Sequence, residues 1–500
     1  MNSSKQIKLG AILSYLSIAV NIISGLLYTP WMVATIGKSQ YGLYTLANSV
    51  ITLFLVDFGL SSATGRYLSK YNAEGNREAA ESFLGAIYKL YLLIDAVILV
   101  VLVTVYFRTD KIFVNLTTAE LEQFRVVFVI SAIFSVINFP FVTFNGILTA
   151  YEKFMPLKIA DLLYRLCNVG FTVVVLLLGY GLYALVLVHA AVGLLVLAFK
   201  YLVIRKTIPL KINFKGPTKT IYREIFVFSL WVTVSALAGR LVFTITPSIL
   251  GMVVGSAAIA IFGIVSTIEG YVYTITTAIN GLFMPKISRI VAGNQAEEDL
   301  NSLFLTVGKF QYILNGLIVA LFAAVGRSFI RLWMGEDFIP AYAGILLVLV
   351  PGLFYNALEI ANTTMVVTNK VKWNAFVCVI TGVVNVCLSF PLSKIYGATG
   401  ACISICIAYF IRDILFHIIY HRKLSLNIPQ FMRKCYFRMS LPIVVTILCG
   451  YAVNHGIPDS GWGTFLLKAV LTTGIYGAAI FAFVFTQEER QAMAGWLRNA

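Results

Sequence analysis

The chain has 500 residues, of which 59% are hydrophobic and only 12% are charged, and its mean hydropathy is +0.87. Soluble globular proteins are about 45–50% apolar and about 25% charged, so this composition excludes an ordinary water-soluble enzyme. The 36 phenylalanines and 26 tyrosines exclude a disordered chain. The formal net charge of +16 at first suggests nucleic-acid binding. The composition as a whole predicts a polytopic membrane protein.

Fourteen segments are long and apolar enough to cross a bilayer as helices, which takes about 20 mostly apolar residues. Transmembrane β-strands would be about 10 residues long with alternating polarity, and these segments are not. We therefore predict an all-α fold of about 14 transmembrane helices. In chain order the segments lie at 9–33, 41–63, 83–107, 125–148, 157–178, 180–203, 224–247, 251–277, 302–324, 341–364, 373–395, 397–419, 437–455 and 463–485.

The lysines and arginines predict the orientation of these segments. With the amino terminus inside, 29 of the 38 basic residues fall on the inner side. The positive-inside rule then predicts that both termini are cytoplasmic, which also requires an even number of helices. The basic residues would lie at an anionic leaflet, so nucleic acid is not needed to explain the charge. We interpret the first segment as an uncleaved helix, because its apolar run is too long for a signal peptide.

An internal repeat predicts how the helices are arranged. The pattern Thr29-Pro30, Gly37, Tyr41-Gly42-Leu43-Tyr44 returns about 218 positions later as Thr246-Pro247, Gly255, Ile259-Ala260-Ile261-Phe262. Six helices separate the copies, so both have the same orientation in the membrane. We predict an N-lobe at 1–203, a basic cytoplasmic linker at 204–223, a C-lobe at 224–419, and helices 13 and 14 with a cytoplasmic tail at 420–500. Parallel lobes that hold a substrate between them are typical of transporters.

The chain lacks the motifs of an enzyme. Gly37-Lys38-Ser39 matches only the end of a P-loop, since Met32 takes the place of its first glycine. There is no His-Glu-x-x-His, and the four histidines are scattered. We therefore predict no catalytic residues, no metal and no bound cofactor, and transport that does not hydrolyse ATP directly.

Ionisable residues inside the predicted helices are candidates for function, because a charge in the bilayer is costly unless it faces a cavity or a partner. Four carboxylates lie inside helices and are predicted to carry the coupling ion: Asp57, Asp95, Glu269 and Glu359. The alternative for each of them is a static hydrogen bond or ion pair that only holds helices together.

Three arginines are predicted to bind the pyrophosphate or glycan of an anionic substrate. Arg240 has no acid within one turn, and a guanidinium facing a cavity suits a phosphate. Arg165 is one turn from Asp161, so an ion pair within the helix is its alternative. Arg66 ends its helix at the inner face, where it could serve only as an anchor. We interpret Arg412 and the adjacent Asp413 as compensating each other.

Three stretches resemble a known family: Gly37-x-x-x-Tyr41-Gly42-Leu43-Tyr44, Asp57-Phe58-Gly59-Leu60 with Ala63 and Arg66, and Leu332-Trp333-x-Gly335-x-x-Phe338-x-x-Ala341-Tyr342. The whole chain resembles the polysaccharide transporter family, the bacterial flippases for O-antigen and capsule repeat units. This family shares the multidrug/oligosaccharidyl-lipid/polysaccharide exporter superfamily with drug extruders and lipid II flippases.

The resemblance implies movement of an undecaprenyl-pyrophosphate-linked oligosaccharide from the inner to the outer leaflet of the bacterial cytoplasmic membrane. It implies a cationic central cavity and alternating access driven by a proton or sodium gradient. It implies membrane lipids and polysaccharide polymerase machinery as partners, and we expect a monomer. Arg66 matches the family's basic position after the Asp-Phe-Gly-Leu motif, whereas Arg240 and Glu359 match no motif.

Two other functions remain open from the sequence. An extruder of small organic cations would be favoured by a cavity rich in carboxylates and poor in arginines. A membrane glycan polymerase or ligase would need sizeable outer loops with basic catalytic residues, and the longest predicted outer loop, 108–124, has about 17 residues.

Overall fold

The computed structural model describes residues 3–215, 219–281, 283–291, 293, 296–368 and 370–484. These residues form helices, turns and short loops without a β-strand, which confirms the all-α prediction. The predicted tail beyond residue 484 and the middle of the predicted linker lie outside the described residues. The α-helices are α1 (Ser3–Ile36), α2 (Lys38–Phe54), α3 (Leu60–Ala73), α4 (Arg77–Ile112), α5 (Thr118–Asn138), α6 (Thr143–Ala150), α7 (Phe154–Leu177), α8 (Leu182–Thr207), α9 (Lys219–Arg240), α10 (Thr246–Val253), α11 (Ser256–Gly281), α12 (Met284–Val291), α13 (Ala296–Met334), α14 (Pro340–Ala357), α15 (Glu359–Val367), α16 (Val371–Leu424), α17 (Ile428–Phe431), α18 (Arg438–Gly456) and α19 (Trp462–Phe483).

Eleven helices in the described part of the chain are long and apolar enough to cross a membrane. The predicted helix at 41–63 is divided between α2 and α3, and the one at 224–247 between α9 and α10. The two predicted at 373–395 and 397–419 form the single element α16, which is 54 residues long. Inside α16, Gly397 has φ 61° and ψ −137°, which only glycine adopts readily, so the chain changes direction there.

The break between α2 and α3 falls on the Asp57-Phe58-Gly59-Leu60 motif. Phe58 has φ 51° and Gly59 has φ 69°, so two consecutive residues are left-handed. A left-handed conformation costs a non-glycine residue about 1–2 kcal/mol, and it cannot continue a right-handed helix. The helix therefore stops at Phe54 and restarts at Leu60.

The break between α9 and α10 precedes Thr246-Pro247. A proline in the first turn of a helix costs no hydrogen bond, so Pro247 is compatible with a helix that begins at Thr246. Residues 241–245 form a turn, and the hydroxyl of Thr246 donates to the carbonyl of Val242 at 2.5 Å. The matching proline, Pro30, lies inside α1, which continues to Ile36.

The chain forms two compact units. The first comprises Met1–Gly263 with Ser389–Gly397, and the second comprises Ile264–Leu388 with Ala398–Ala500. The predicted boundaries of the lobes at 1–203 and 224–419 stay a prediction. In the first unit α8 extends to Thr207, so the amino-terminal end of the predicted linker is helical.

Candidate functional site

Arg240 connects the two helix breaks of the first unit. Because α2 ends at Phe54, the carbonyl of Leu55 has no amide partner further along the same helix. Arg240, the last residue of α9, donates from Nη2 to this carbonyl oxygen at 2.9 Å. A positive charge at the end of α2 also suits its helix dipole. The other terminal nitrogen, Nη1, is buried without a hydrogen-bond partner.

Asp57 lies in the same break and uses both of its carboxylate oxygens. The hydroxyl of Tyr91 on α4 donates to Oδ1, and the amide of Ser61 in the first turn of α3 donates to Oδ2 at 3.2 Å. Asp57 and Arg240 also interact electrostatically. The structure therefore brings together one residue from the predicted ion-coupling set and one from the predicted substrate-binding set.

Arg165 lines a cavity of about 490 Å³ in the first unit, between α1, α5, α7 and α8. Its Nη1 donates to the side-chain oxygen of Asn21 on α1. Asp161 forms ion pairs with Lys158 at 3.6 Å and with Lys200 of α8 at 3.9 Å. The alternative interpretation of an Arg165–Asp161 pair is therefore wrong, because the carboxylate is shared by two lysines. From the sequence, both lysines are predicted only to lie on the inner side of the membrane.

Arg66 and Asp95 occupy different places in the first unit. Arg66 lies on an exposed part of α3, and Asp95 lies within α4 between the exposed Leu93 and Val97. The Oδ1 of Asp95 is buried and has no hydrogen-bond partner. Neither residue lines the cavity that Arg165 lines.

The second unit places Glu269 and Glu359 near one arginine. Glu359 begins α15 directly after a break at Leu358, and its Oε1 accepts a hydrogen bond from Asn362 at 3.2 Å. Both carboxylates interact electrostatically with Arg412. Two of the four predicted ion-coupling residues thus share a cation that sequence analysis assigned no function.

Arg412 is held by aromatic rings. Its guanidinium lies 3.6 Å from the ring centroid of Tyr355 and 3.6 Å from that of Tyr409. Both oxygens of Asp413 are buried without a hydrogen-bond partner. Arg412 and Asp413 interact electrostatically, in line with the interpretation that they compensate each other. The cation–π stack with the two tyrosines is an additional contact of Arg412.

A buried amide network in the second unit also escaped sequence analysis. Gln311 donates to Asn280 at 2.7 Å, Asn356 donates to Asn315 at 3.3 Å, and Asn315 contacts Thr276 at 3.4 Å. Thr276 and Asn280 are four residues apart on α11, as are Gln311 and Asn315 on α13, so each pair lies on one helix face. That spacing was the available signal, and hydrogen bonds of this kind hold transmembrane helices together. The described residues contain no group of three or more His, Cys, Asp or Glu that could hold a metal ion.

Comparisons with known proteins show the family and the fold. A family model described as polysaccharide biosynthesis protein matches residues 8–291. The chain is 23% identical over 487 residues to the uncharacterized membrane protein EpsK of Bacillus subtilis (strain 168), covering 93% of this chain and 92% of that protein. The lipid II flippase MurJ, in an inward closed conformation, matches with a TM-score of 0.72 and 14% identity over 95% of this chain and 98% of its own.

An inward-facing multidrug resistance MATE family transporter of the MOP superfamily matches with a TM-score of 0.65 and 14% identity, over 83% of this chain and 98% of that chain. At these identities the two solved structures show a shared fold. The relatives are described as a membrane protein, a flippase and a transporter, and not as enzymes. The chain is thus a multi-pass bacterial membrane protein that belongs to the polysaccharide biosynthesis protein family and has the fold of MurJ and the MATE transporters.

Proposed function

We propose that the protein is a flippase that moves undecaprenyl-pyrophosphate-linked oligosaccharide repeat units from the inner to the outer leaflet of the cytoplasmic membrane. Membership of the polysaccharide biosynthesis family and the flippase-like fold support this proposal. The exported units would supply a cell-surface polysaccharide such as O-antigen or capsule.

The observation that carries the proposal is the pair of helix breaks joined by Arg240. Interrupted helices at membrane depth occur where backbone and charged groups line a cavity or bind a substrate, because lipid satisfies neither. Arg240 and Asp57 lie at such breaks, and Arg240 keeps an unused donor. A guanidinium in this position is suited to the pyrophosphate that links the lipid to the glycan.

The proposed cycle is alternating access by a monomer with 14 membrane crossings and both termini in the cytoplasm. The lobes at 1–203 and 224–419 would rock against each other and expose the substrate to each leaflet in turn. A proton or sodium gradient would drive the cycle through Asp57, Asp95, Glu269 and Glu359, without a bound cofactor. The partners would be the lipid-linked oligosaccharide, membrane lipids and the polysaccharide polymerase machinery.

The test is translocation of a fluorescent undecaprenyl-pyrophosphate glycan in proteoliposomes, with and without an imposed proton or sodium gradient. We expect gradient-stimulated appearance of the glycan in the far leaflet, and background movement in protein-free liposomes. A parallel sample contains a small cationic dye. If the dye moves while the glycan lipid stays in place, the flippase proposal is wrong and the protein is an organic cation extruder.

A further inference from the structure

The cavity between α1, α5, α7 and α8 has the composition of an anion site. Three cationic side chains, Lys158, Arg165 and Lys200, line it together with one carboxylate, Asp161, for a formal net charge of +2 (3 − 1). An organic cation would be repelled by this net positive charge. A cavity inside a membrane-spanning bundle that holds uncompensated cations is a candidate binding site by default.

The cations are held by polar side chains from several helices. Lys200 donates to the side-chain oxygen of Asn145 at 3.0 Å, and its side chain is only 15% exposed. Arg165 donates to Asn21 of α1. Because these amides are neutral acceptors, they orient the cations without cancelling their charge. Lys200 and Arg165 are thus pre-organised, which lowers the cost of binding an anion.

Asp161 behaves as an internal counter-ion in this cavity. Its two oxygens lie 3.6 Å from the Lys158 ammonium and 3.9 Å from the Lys200 ammonium, which is longer than a good charge-assisted hydrogen bond of about 2.7–2.9 Å. The Asp161 side chain is 41% exposed, so it can move aside at little cost. A phosphate with three acceptor oxygens can replace Asp161 and accept hydrogen bonds from both lysines at shorter distances.

The volume limits what the cavity can hold. At about 490 Å³ it lies within the range of small-molecule sites, about 300–1,000 Å³. It therefore suits a compact anionic head and not a complete oligosaccharide. In the proposed topology, Lys158 and Lys200 lie near the cytoplasmic ends of α7 and α8, on the side from which a lipid-linked precursor would enter.

We propose that Lys158, Arg165 and Lys200 form a site for the pyrophosphate headgroup of a prenyl lipid. The site is contained within the first unit, and Asp161 is its internal counter-ion in the absence of the headgroup. This inference rests on the proposed flippase function and adds to it a second anion site, separate from the helix breaks that carry Arg240. A phosphate from an ordinary anionic phospholipid shares the same chemistry, so the test distinguishes the two sources.

The experiment measures binding of farnesyl pyrophosphate to the purified full-length protein in zwitterionic nanodiscs by calorimetry. Lys200→Gln and Arg165→Gln should each weaken binding by about tenfold, since each removes a charge-assisted hydrogen bond. Asp161→Asn should strengthen binding severalfold, because it removes the competing carboxylate. Lys206→Gln, an equal charge change at an exposed position of α8, should bind like the wild type.

The opposite signs separate a binding role from a folding defect, which would weaken binding in all three cavity variants. The proposal is overturned if Lys200→Gln and Arg165→Gln bind like the wild type, or if Asp161→Asn binds more weakly. It is also overturned if nanodiscs containing phosphatidylglycerol abolish farnesyl pyrophosphate binding at modest lipid fractions, which would assign the cavity to bulk lipid.

Translocation of the glycan lipid by the wild type is measured separately. If the wild type translocates while the cavity variants bind unchanged, only the headgroup site is wrong. If the wild type does not translocate but the binding pattern holds, the pyrophosphate site stands and the proposed flippase function is wrong.

Discussion

The two copies of the internal repeat break at different points. In the first copy α1 passes through Thr29-Pro30 without interruption, and the next helix breaks at 55–59. In the second copy the break at 241–245 comes just before Thr246-Pro247, and the next helix, α11, runs unbroken from Ser256 to Gly281. Equivalent positions in the repeat thus have different backbone conformations.

This asymmetry makes the two breaks complementary. The first break offers a free carbonyl at Leu55 and the carboxylate of Asp57, and the second offers the guanidinium of Arg240. The hydroxyl of Ser49 on α2 also donates to the carbonyl of Thr244 in the second break. Backbone carbonyls at each break therefore accept hydrogen bonds from side chains at or near the other break. This matters in an environment without water, where unsatisfied backbone groups are costly.

The largest expected effect comes from removing the connection between the breaks. Arg240→Ala deletes the donor to Leu55 and the cation beside Asp57, and a hydrogen bond to a charged group contributes about 1.5–3 kcal/mol. We expect glycan translocation in proteoliposomes to fall by about tenfold or more, while the protein still purifies as a folded monodisperse species.

Arg205→Ala is the matched control, because Arg205 lies exposed in the last turn of α8. It should leave translocation unchanged. Arg240→Lys keeps the charge and loses the forked donor, so its rate of glycan translocation should lie between those of the wild type and Arg240→Ala. Wild-type activity in Arg240→Ala would remove Arg240 from the substrate site.

A second prediction concerns the glycines of equivalent helices. Gly59 has φ 69° at the break, whereas Gly270 lies inside the unbroken α11 with open space where an added Cβ would lie. Gly59→Ala should lower the free energy of unfolding by about 1–2 kcal/mol. Gly270→Ala should raise it by up to about 1 kcal/mol, because alanine favours a helix. Thermal unfolding in detergent compares the two, and equal effects would mean that the break does not require a left-handed residue.

The breaks show where sequence analysis succeeds and where it stops. Hydropathy over about 20 residues predicted the all-α membrane fold, but a break of five residues that includes the apolar Phe58 hardly changes such an average. The left-handed Phe58 runs against its own propensity, so only tertiary contacts can hold it. Burial alone pointed to Arg240, yet its acceptor is a backbone carbonyl 185 residues away, which no local pattern reveals. The stack of Arg412 between two tyrosines combines a local and a distant contact, because Tyr409 is three residues away on α16 whereas Tyr355 lies on α14. Only the contact with Tyr355 leaves no local pattern in the sequence.

The third prediction compares the carboxylates of the two units. Asp57→Asn retains an acceptor for the amide of Ser61 but removes the negative charge. Glu359→Gln likewise retains an acceptor for the side chain of Asn362 and removes the negative charge. If these groups carry the coupling ion, each variant should change the dependence of translocation on pH or sodium, with less than a tenfold change in maximal rate. The measurement is the initial rate across a series of external pH and sodium concentrations. If the pH and sodium profile of a variant matches that of the wild type, the carboxylate has a structural role and does not carry the coupling ion.

The smallest effect is expected at Asp459, which lies in the loop between α18 and α19. Asp459 forms an ion pair with Lys468, whose side chain is only 1% exposed, and accepts a hydrogen bond from the hydroxyl of Ser328 at 2.8 Å. The hydrogen bond from Lys468 holds the pKa of the Asp459 carboxyl below its ordinary value. A depressed pKa stabilises the folded protein above the unfolded value of about 3.9, and this stabilisation is lost as the pH falls through the folded-state pKa.

The unfolding temperature should therefore drop more steeply below about pH 4 in the wild type than in Asp459→Asn. Because the Asp459 side chain is 36% exposed, solvent screening should limit its contribution to about 1 kcal/mol or less. At neutral pH Asp459→Asn should translocate glycan like the wild type, unlike Arg240→Ala, since this ion pair closes a loop and faces no helix break. A translocation defect as large as that of Arg240→Ala would show that loss of a charge far from the breaks also impairs transport, and the special role of the two breaks would then be refuted.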